Sequence, residues 1–305
     1  MNTRFIASLV GSCLLALCIT SGASAQGQQT FVSASGSDKD TCTRADPCRN
    51  FNRALSLTAP GGEVVALDSG TYEPFAVGKS VSVTAAPGAH VAISAPSGEG
   101  IQVGAGPSDV VVLRGLDVES QGGGFAGILY SAGAELHVES CVVNGFGFRG
   151  IDAFGPSLSV KDTIIRNSGF GILTSSRPGN TVTAERVRLE SNLAGLFATN
   201  GATVTIHNSV IAGNSQQGIV ASGNGPGSFV EVNIEGCMIA NNGTDGVDSD
   251  ANGTAIVRIS NSIVTDNAVG LHQAGTASLL SRGNNTVEGN KTADTQGTIG
   301  SYAGR

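Results

Sequence analysis

A two-residue motif that returns along most of the chain limits its fold more than any other feature. Glycine followed by an aliphatic residue stands at Gly127-Ile128, Gly150-Ile151, Gly171-Ile172, Gly195-Leu196, Gly218-Ile219, Gly246-Val247 and Gly270-Leu271, at spacings of 23, 21, 24, 23, 28 and 24 residues. A second frame lies between these marks. Val182, Val204, Val232, Val257 and Leu280 stand ten residues before Asn192, Asn214, Asn242, Asn267 and Asn290 respectively. Ala184, Ile206, Ile234 and Ile259 follow the start of that frame by two positions, as alternation along a strand requires. Leu189, Ile211, Ile239, Val264 and Val287 follow it by seven. Each repeat therefore holds three short strands separated by turns, with almost no helix-forming run. A leucine-rich repeat has a similar period but needs a leucine frame that is absent here. The pattern predicts an all-β, single-stranded right-handed parallel β-helix, a solenoid of about 8 to 10 coils over residues 61–296, whose rungs stack about 4.8 Å apart.

The asparagine column reads as a ladder of stacked amides bonded to one another and to turn backbone, with glycine allowing left-handed corners. Val187, Ser209, Cys237 and Ser262 form a further row of small inward groups, and Cys141 holds the same place in its own repeat. The earlier coils are less regular but visible at residues 62–67, at Val81 with Val83, at Val91 with Ile93, and over 110–118. An open stack needs a cap. Residues 47–57, with Phe51, Ala54, Leu55 and Leu57 on one helical face, predict a short amphipathic helix inside a cap region spanning 26–60. Residues 297–305 read as a polar tail.

The first residues carry Arg4, an apolar run over 5–19 and the small-residue stretch ending at Ala25, the pattern of a secretory signal peptide (residues 1–25) cleaved after Ala25. The run falls short of the roughly 20 residues that a bilayer span needs, so no membrane span is expected once it is removed, and the expected destination is secreted or periplasmic. In such an oxidising compartment Cys42 and Cys48, flanking a short polar loop, predict a local disulfide. Cys141 and Cys237 fall in distant repeats and read as buried free thiols. With 17 basic against 24 acidic residues and no basic cluster, nucleic acid and anionic membranes are poor partners.

The Gly-Ile and Asn-marked coils, together with the stretch FVSASGSDKDTCTRADPCRNFNRALSLTAPGGEVVALDSGTY, resemble secreted bacterial right-handed β-helix repeat proteins of the pectin-lyase-like superfamily. The resemblance covers nearly all of the chain after residue 25. It implies the fold but not one activity, since that superfamily spans lyases, hydrolases, epimerases, tailspikes and adhesins. Its pectate-lyase-like members place several acidic residues as calcium ligands on one face, with an Arg or Lys as base, and its hydrolases bring two or three Asp together.

This chain has no adjacent Asp-Asp pair, and Glu119, Glu139, Glu185 and Glu235 occur singly at outward positions. One patch stands out. Asp245, Asp248 and Asp250 fall within six residues, and His272 holds in the next coil the position of Asp248. A carboxylate-imidazole pair of Asp248 and His272, or a calcium site on Asp245, Asp248 and Asp250, follows if the coils stack in register. Otherwise no cofactor is called for. Asp152 shares that column but lies four coils away. Leu129, Leu173, Phe197 and Val220 occupy the same column and predict an outward apolar stripe, suited to an oligomer or partner surface. Phe146, Phe148, Phe154 and Phe170 crowd nearby. The chain has no Trp and three Tyr, and the scattered Arg149, Arg186, Arg188 and Arg258 make no evident cationic groove. Two functions follow. The first is a non-catalytic scaffold presenting an extended surface to a polysaccharide or cell-surface partner. The second is a polysaccharide lyase or glycoside hydrolase centred on the acidic patch.

Overall fold

The computed structural model describes residues 27–174, 179–199, 201–225 and 227–303. The signal segment, including Ala25, lies outside them. The chain winds as a right-handed parallel β-helix whose three sheets contain twelve, ten and ten strands, so the number of coils falls where the repeat puts it. Sheet 1 runs from Gly27–Val32 through Thr58–Ala66 and Val81–Ala85 to Ile299–Ser301. Sheet 2 runs from Gly70–Tyr72 to Thr286–Val287, and sheet 3 from Phe75–Val77 to Ala293–Gln296.

Stacking is in register. Val182, Val204, Val232 and Val257 pair in succession in sheet 1, and Leu189, Ile211, Ile239 and Val264 in sheet 2. Ile128, Ile151, Ile172, Leu196, Ile219, Val247 and Leu271 pair in sheet 3. All of these point into one continuous core and are essentially inaccessible. In the last coil but one the inward residue of sheet 1 is Leu279, paired with Val257, and not the expected Leu280. The turn that follows, over residues 282–285, is longer than its predecessors and shifts the frame by one.

The asparagine column is buried from Asn192 to Asn267 and half-buried at Asn290. The backbone N–H of Asn192 donates to Asn214 Oδ1 at 3.0 Å, that of Asn214 to Asn242 Oδ1 at 3.2 Å, and that of Asn242 to Asn267 Oδ1 at 3.0 Å. Asn267 continues to Asn290 Oδ1 at 3.1 Å, and Asp294 closes the column at 3.1 Å from Asn290 N. The amide nitrogens donate back to carbonyls such as Leu189 O and Ile211 O. Each side chain thus satisfies turn backbone that the core would otherwise leave unpaired.

The glycine of each Gly-Ile pair does a different job from the one expected. None of these glycines has a positive φ. A Cβ on Gly246 would lie 2.8 Å from Asn267 Nδ2 and 2.8 Å from Gly270 O, and one on Gly218 would lie 2.8 Å from Asn242 Nδ2. From Gly171 onward these glycines make room for the ladder. The left-handed corners are held mostly by other residues: Ser140, Asp162, Arg186, Asn208 and Asn261 between sheets 1 and 2, with glycine there at Gly236. Small groups follow these corners, and Cys141 N, Val187 N and Cys237 N donate to the hydroxyls of Thr163, Ser209 and Ser262.

The cap helix spans Phe51–Leu57, shorter than 47–57, with Phe51, Ala54 and Leu55 buried and Leu57 only partly so. Phe51 stacks on Phe75 at 4.6 Å and meets Tyr72 at a tilt at 5.2 Å between ring centroids, covering the first coil. A strand absent from the expected cap, Gly27–Val32, pairs with Thr58–Ala66 and forms the outermost rung of sheet 1. Cys42 and Cys48 are disulfide-bonded, with 4.6 Å between Cα atoms. At the other end Ala293–Gln296 and Ile299–Ser301 form one last, largely exposed coil, which reaches into the expected tail.

From residue 140 to residue 262, sheets 1 and 2 are joined by the same two-residue turn, at 140–141, 162–163, 186–187, 208–209, 236–237 and 261–262, while the first coils and the turn at 282–285 differ. Between sheets 3 and 1, Gly223 and Phe229 are separated further than Ala251 and Thr254. No helix among the described residues is long and apolar enough to cross a membrane.

Candidate active site on the outer face of sheet 3

Alternation along a strand would put residues three apart on opposite faces. In sheet 3 the Gly-Ile motif breaks that rule, because the glycine and the aliphatic residue after it both face the core. The residues just before and just after the pair therefore share the outer face. Arg149 with Asp152 and Asp245 with Asp248 arise in this way. The outward column after the motif reads Gln102, Leu129, Asp152, Leu173, Phe197, Val220, Asp248, His272 and Gln296, each paired with the next.

Two features occupy this face. Toward the C-terminal end, the adjacent strands Asp245–Ala251 and Val269–Gly275 bring Asp245, Asp248 and His272 together. His272 Nδ1 lies 3.2 Å from Asp248 Oδ1 and 3.6 Å from Asp245 Oδ1. One donor atom from each residue falls within 4.8 Å of the others. The side chains retain 13% (Asp248), 15% (Asp245) and 24% (His272) of their exposure, so the cluster is sunken yet reachable. Asp248 Oδ1 and His272 Nδ1 face one another with neither atom in line for a hydrogen bond. Burial, reinforced by the like charge of Asp245, pushes the Asp248 carboxyl up to about 6, against the opposing pull of His272. Burial also raises Asp245, offset in part by His272 and a hydrogen bond from Thr244. Asp250 is exposed and stands outside this group.

The second feature lies four rungs earlier and went unread in the sequence. Asp152 is 1% exposed and forms an ion pair with Arg149. The Arg149 guanidinium carbon sits 4.1 Å from the centroid of Phe148, 5.3 Å from that of Phe125 and 5.9 Å from that of Phe154. Phe125, Phe148, Phe170 and Phe197 then run as a row, tilted at the first contact and edge-to-face at the next two, with centroids 5.0, 5.9 and 5.2 Å apart. Phe125, Phe148 and Phe154 are 37–47% exposed. Phe146 belongs to the core and not to this row. Val220, in the expected stripe, is 4% exposed, while Leu129, Leu173 and Phe197 are half-buried. The scattered arginines are paired: Arg186 with Asp162, Arg188 with Glu190, and Arg258 with Glu231. Cys141 and Cys237 are buried free thiols, and desolvation pushes both up to about 11.

Calcium takes six to eight oxygen ligands. The cluster offers two carboxylates and an imidazole nitrogen, a donor better suited to softer metals, and the third carboxylate, Asp250, is turned out to solvent. These residues do not fit a calcium ion.

The fold is a right-handed parallel β-helix that carries this acidic cluster on an outer face. Residues 126–292 match the right-handed β-helix region family, and the chain belongs to that family. No curated protein sequence matches the chain. Among solved structures it is similar to an alginate lyase from Paenibacillus sp. str. FPU-7, at 15% identity and a TM-score of 0.59, over 90% of this chain and all of that one. It is also similar to XylC, solved with xylose, at 10% identity and a TM-score of 0.61 over 85% and 69% of the two chains. Pectate lyase Pel9A follows at 15% identity and a TM-score of 0.51 over 85% and 70%. At these identities the likeness is one of fold.

Proposed function

We propose that the chain binds a polysaccharide along the outer face of sheet 3 and acts on it by acid–base chemistry at Asp248 and His272. The observation that carries this reading is the Asp248–His272 pair, sunken on that face with their facing atoms free of hydrogen bonds. A carboxyl pushed up to about 6 is half protonated near that pH and keeps its proton in a minor fraction of molecules at neutrality, where an ordinary aspartate has almost none, and so can protonate a leaving glycosidic oxygen. That step is common to hydrolysis and to elimination. Asp245 supplies a second carboxylate beside it, and His272 a nitrogen able to relay or accept a proton. Three neighbours in fold are named for work on, or were solved with, sugars, which agrees with the reading without establishing it. The Cys42–Cys48 disulfide supports a secreted or periplasmic location.

A second reading, a non-catalytic scaffold that presents this face to a polysaccharide, a cell-surface partner or another copy of the chain, is favoured by the exposed phenylalanine row. The experiment that separates the two is a polysaccharide panel assayed for reducing ends and unsaturated product. Product formation abolished by Asp248→Asn supports catalysis. Binding without product, unaffected by Asp248→Asn, leaves the scaffold.

A further inference from the structure

We propose that the polysaccharide taken by the outer face of sheet 3 is uncharged and is taken without calcium; this rests on the reading that the face binds a glycan. The first argument is charge. Glu99, Asp152, Asp245, Asp248 and Asp250 stand on this face, and its cation among the described residues, Arg149, is already bound to Asp152 beneath the phenylalanines. Any charge on His272 is faced by two carboxylates, at 3.2 and 3.6 Å. A uronate polymer carries a negative charge on every sugar and would meet this surface with no unpaired partner for any of them.

The second argument concerns the ion that brings anionic polymers onto carboxylates in proteins of this fold. Two carboxylates and an imidazole fall short of a calcium site, and Asp250 is not among the ligand atoms that converge there. The third is the surface between the two charged features. Between Asp152 and Asp248 the outward column is Leu173, Phe197 and Val220, three apolar residues over two steps of about 4.8 Å and so about 10 Å of apolar track, with Val220 the most covered of them. Such a track suits the C–H faces of neutral sugar rings, which lose little hydration on contact, and the Phe148 and Phe170 rings extend it.

The test uses the chain after residue 25 against immobilised mannan, β-glucan, polygalacturonate and alginate, each with calcium and with EDTA, scoring binding by interferometry and product separately. The expected result is binding of a neutral polymer, indifferent to EDTA, at least about tenfold tighter than either polyuronate, and weakened by Phe148→Ala. The double variant Asp245→Asn, Asp248→Asn should gain polyuronate binding, an effect that misfolding cannot imitate. Neutral-polymer binding with no product anywhere supports this inference while sinking the catalytic reading. Calcium-dependent binding or cleavage of a polyuronate overturns the inference and leaves glycan binding intact. Absence of binding to every polymer overturns both.

Discussion

Asp248 Oδ1 and His272 Nδ1 lie 3.2 Å apart across one rung of sheet 3, both shielded and neither hydrogen-bonded in line. Asp245 stands on the same outer face, 3.6 Å from the same nitrogen. The arrangement holds two carboxylates and an imidazole in contact where they are stripped of much of their water, which is how acid–base groups are tuned toward neutral pH.

Replacing Asp248 with Asn removes the carboxyl we propose as proton donor while keeping shape. Turnover on the polysaccharide that serves as substrate should fall by roughly 10²–10⁴, with binding of the polymer little changed. Rates and binding isotherms measured on the same preparation check this. A variant that keeps full turnover removes Asp248 from the chemistry.

The same carboxyl gives a stability prediction of known sign. Its value is raised to about 6 in the folded chain from an ordinary 3.8, so between those two values the folded state binds more protons than the unfolded one. Stability therefore declines as pH rises through that window, and the cost is fully present above about 6. Asp248→Asn should raise stability at pH 7 by on the order of 2 kcal/mol and leave it nearly unchanged at pH 3.5. Thermal melts of both proteins at the two pH values decide the matter.

Asn242 accepts from Asn214 and donates to Ile211 O and Asn267 Oδ1, all in the interior. Asn242→Ala strands several of these groups and should destabilise by about 3 kcal/mol. Asn290→Ala, at the half-buried end of the column, should cost about 1 kcal/mol. Equal losses in urea titrations would contradict the ladder as the source of the effect.

Gly246→Ala forces a methyl to within 2.8 Å of Asn267 Nδ2, Gly270 O and Val264 Cγ1, while Gly283→Ala meets nothing within 4 Å. The first substitution should cost about 2–3 kcal/mol and the second almost nothing, measured by chemical denaturation.

Much of this architecture is written in the one-dimensional spacing. Because parallel coils stack in register, equal offsets from a shared mark become neighbours in space. Asp248 and His272, each two residues after their glycine, could be placed side by side before any coordinates. Two things were hidden. The role of that glycine depends on how closely an asparagine from another turn approaches it, which periodicity does not encode. Alternation hid the partnership of Arg149 with Asp152, since it assigns residues three apart to opposite faces. Leu280 failed as a core residue because the turn after it lengthened, and a local change in turn length leaves no mark in a pattern of apolar residues.

The uneven junction between sheets 3 and 1, against the uniform turn between sheets 1 and 2 from residue 140 to residue 262, separates what stacking requires from what is free to change. Residues added between Gly223 and Phe229 enter beside the outer face of sheet 3 and leave the asparagine column untouched. That junction is a natural grafting point: segments spliced into it would build walls around the Asp248–His272 rung, so a new specificity could be installed on this scaffold without redesigning its core.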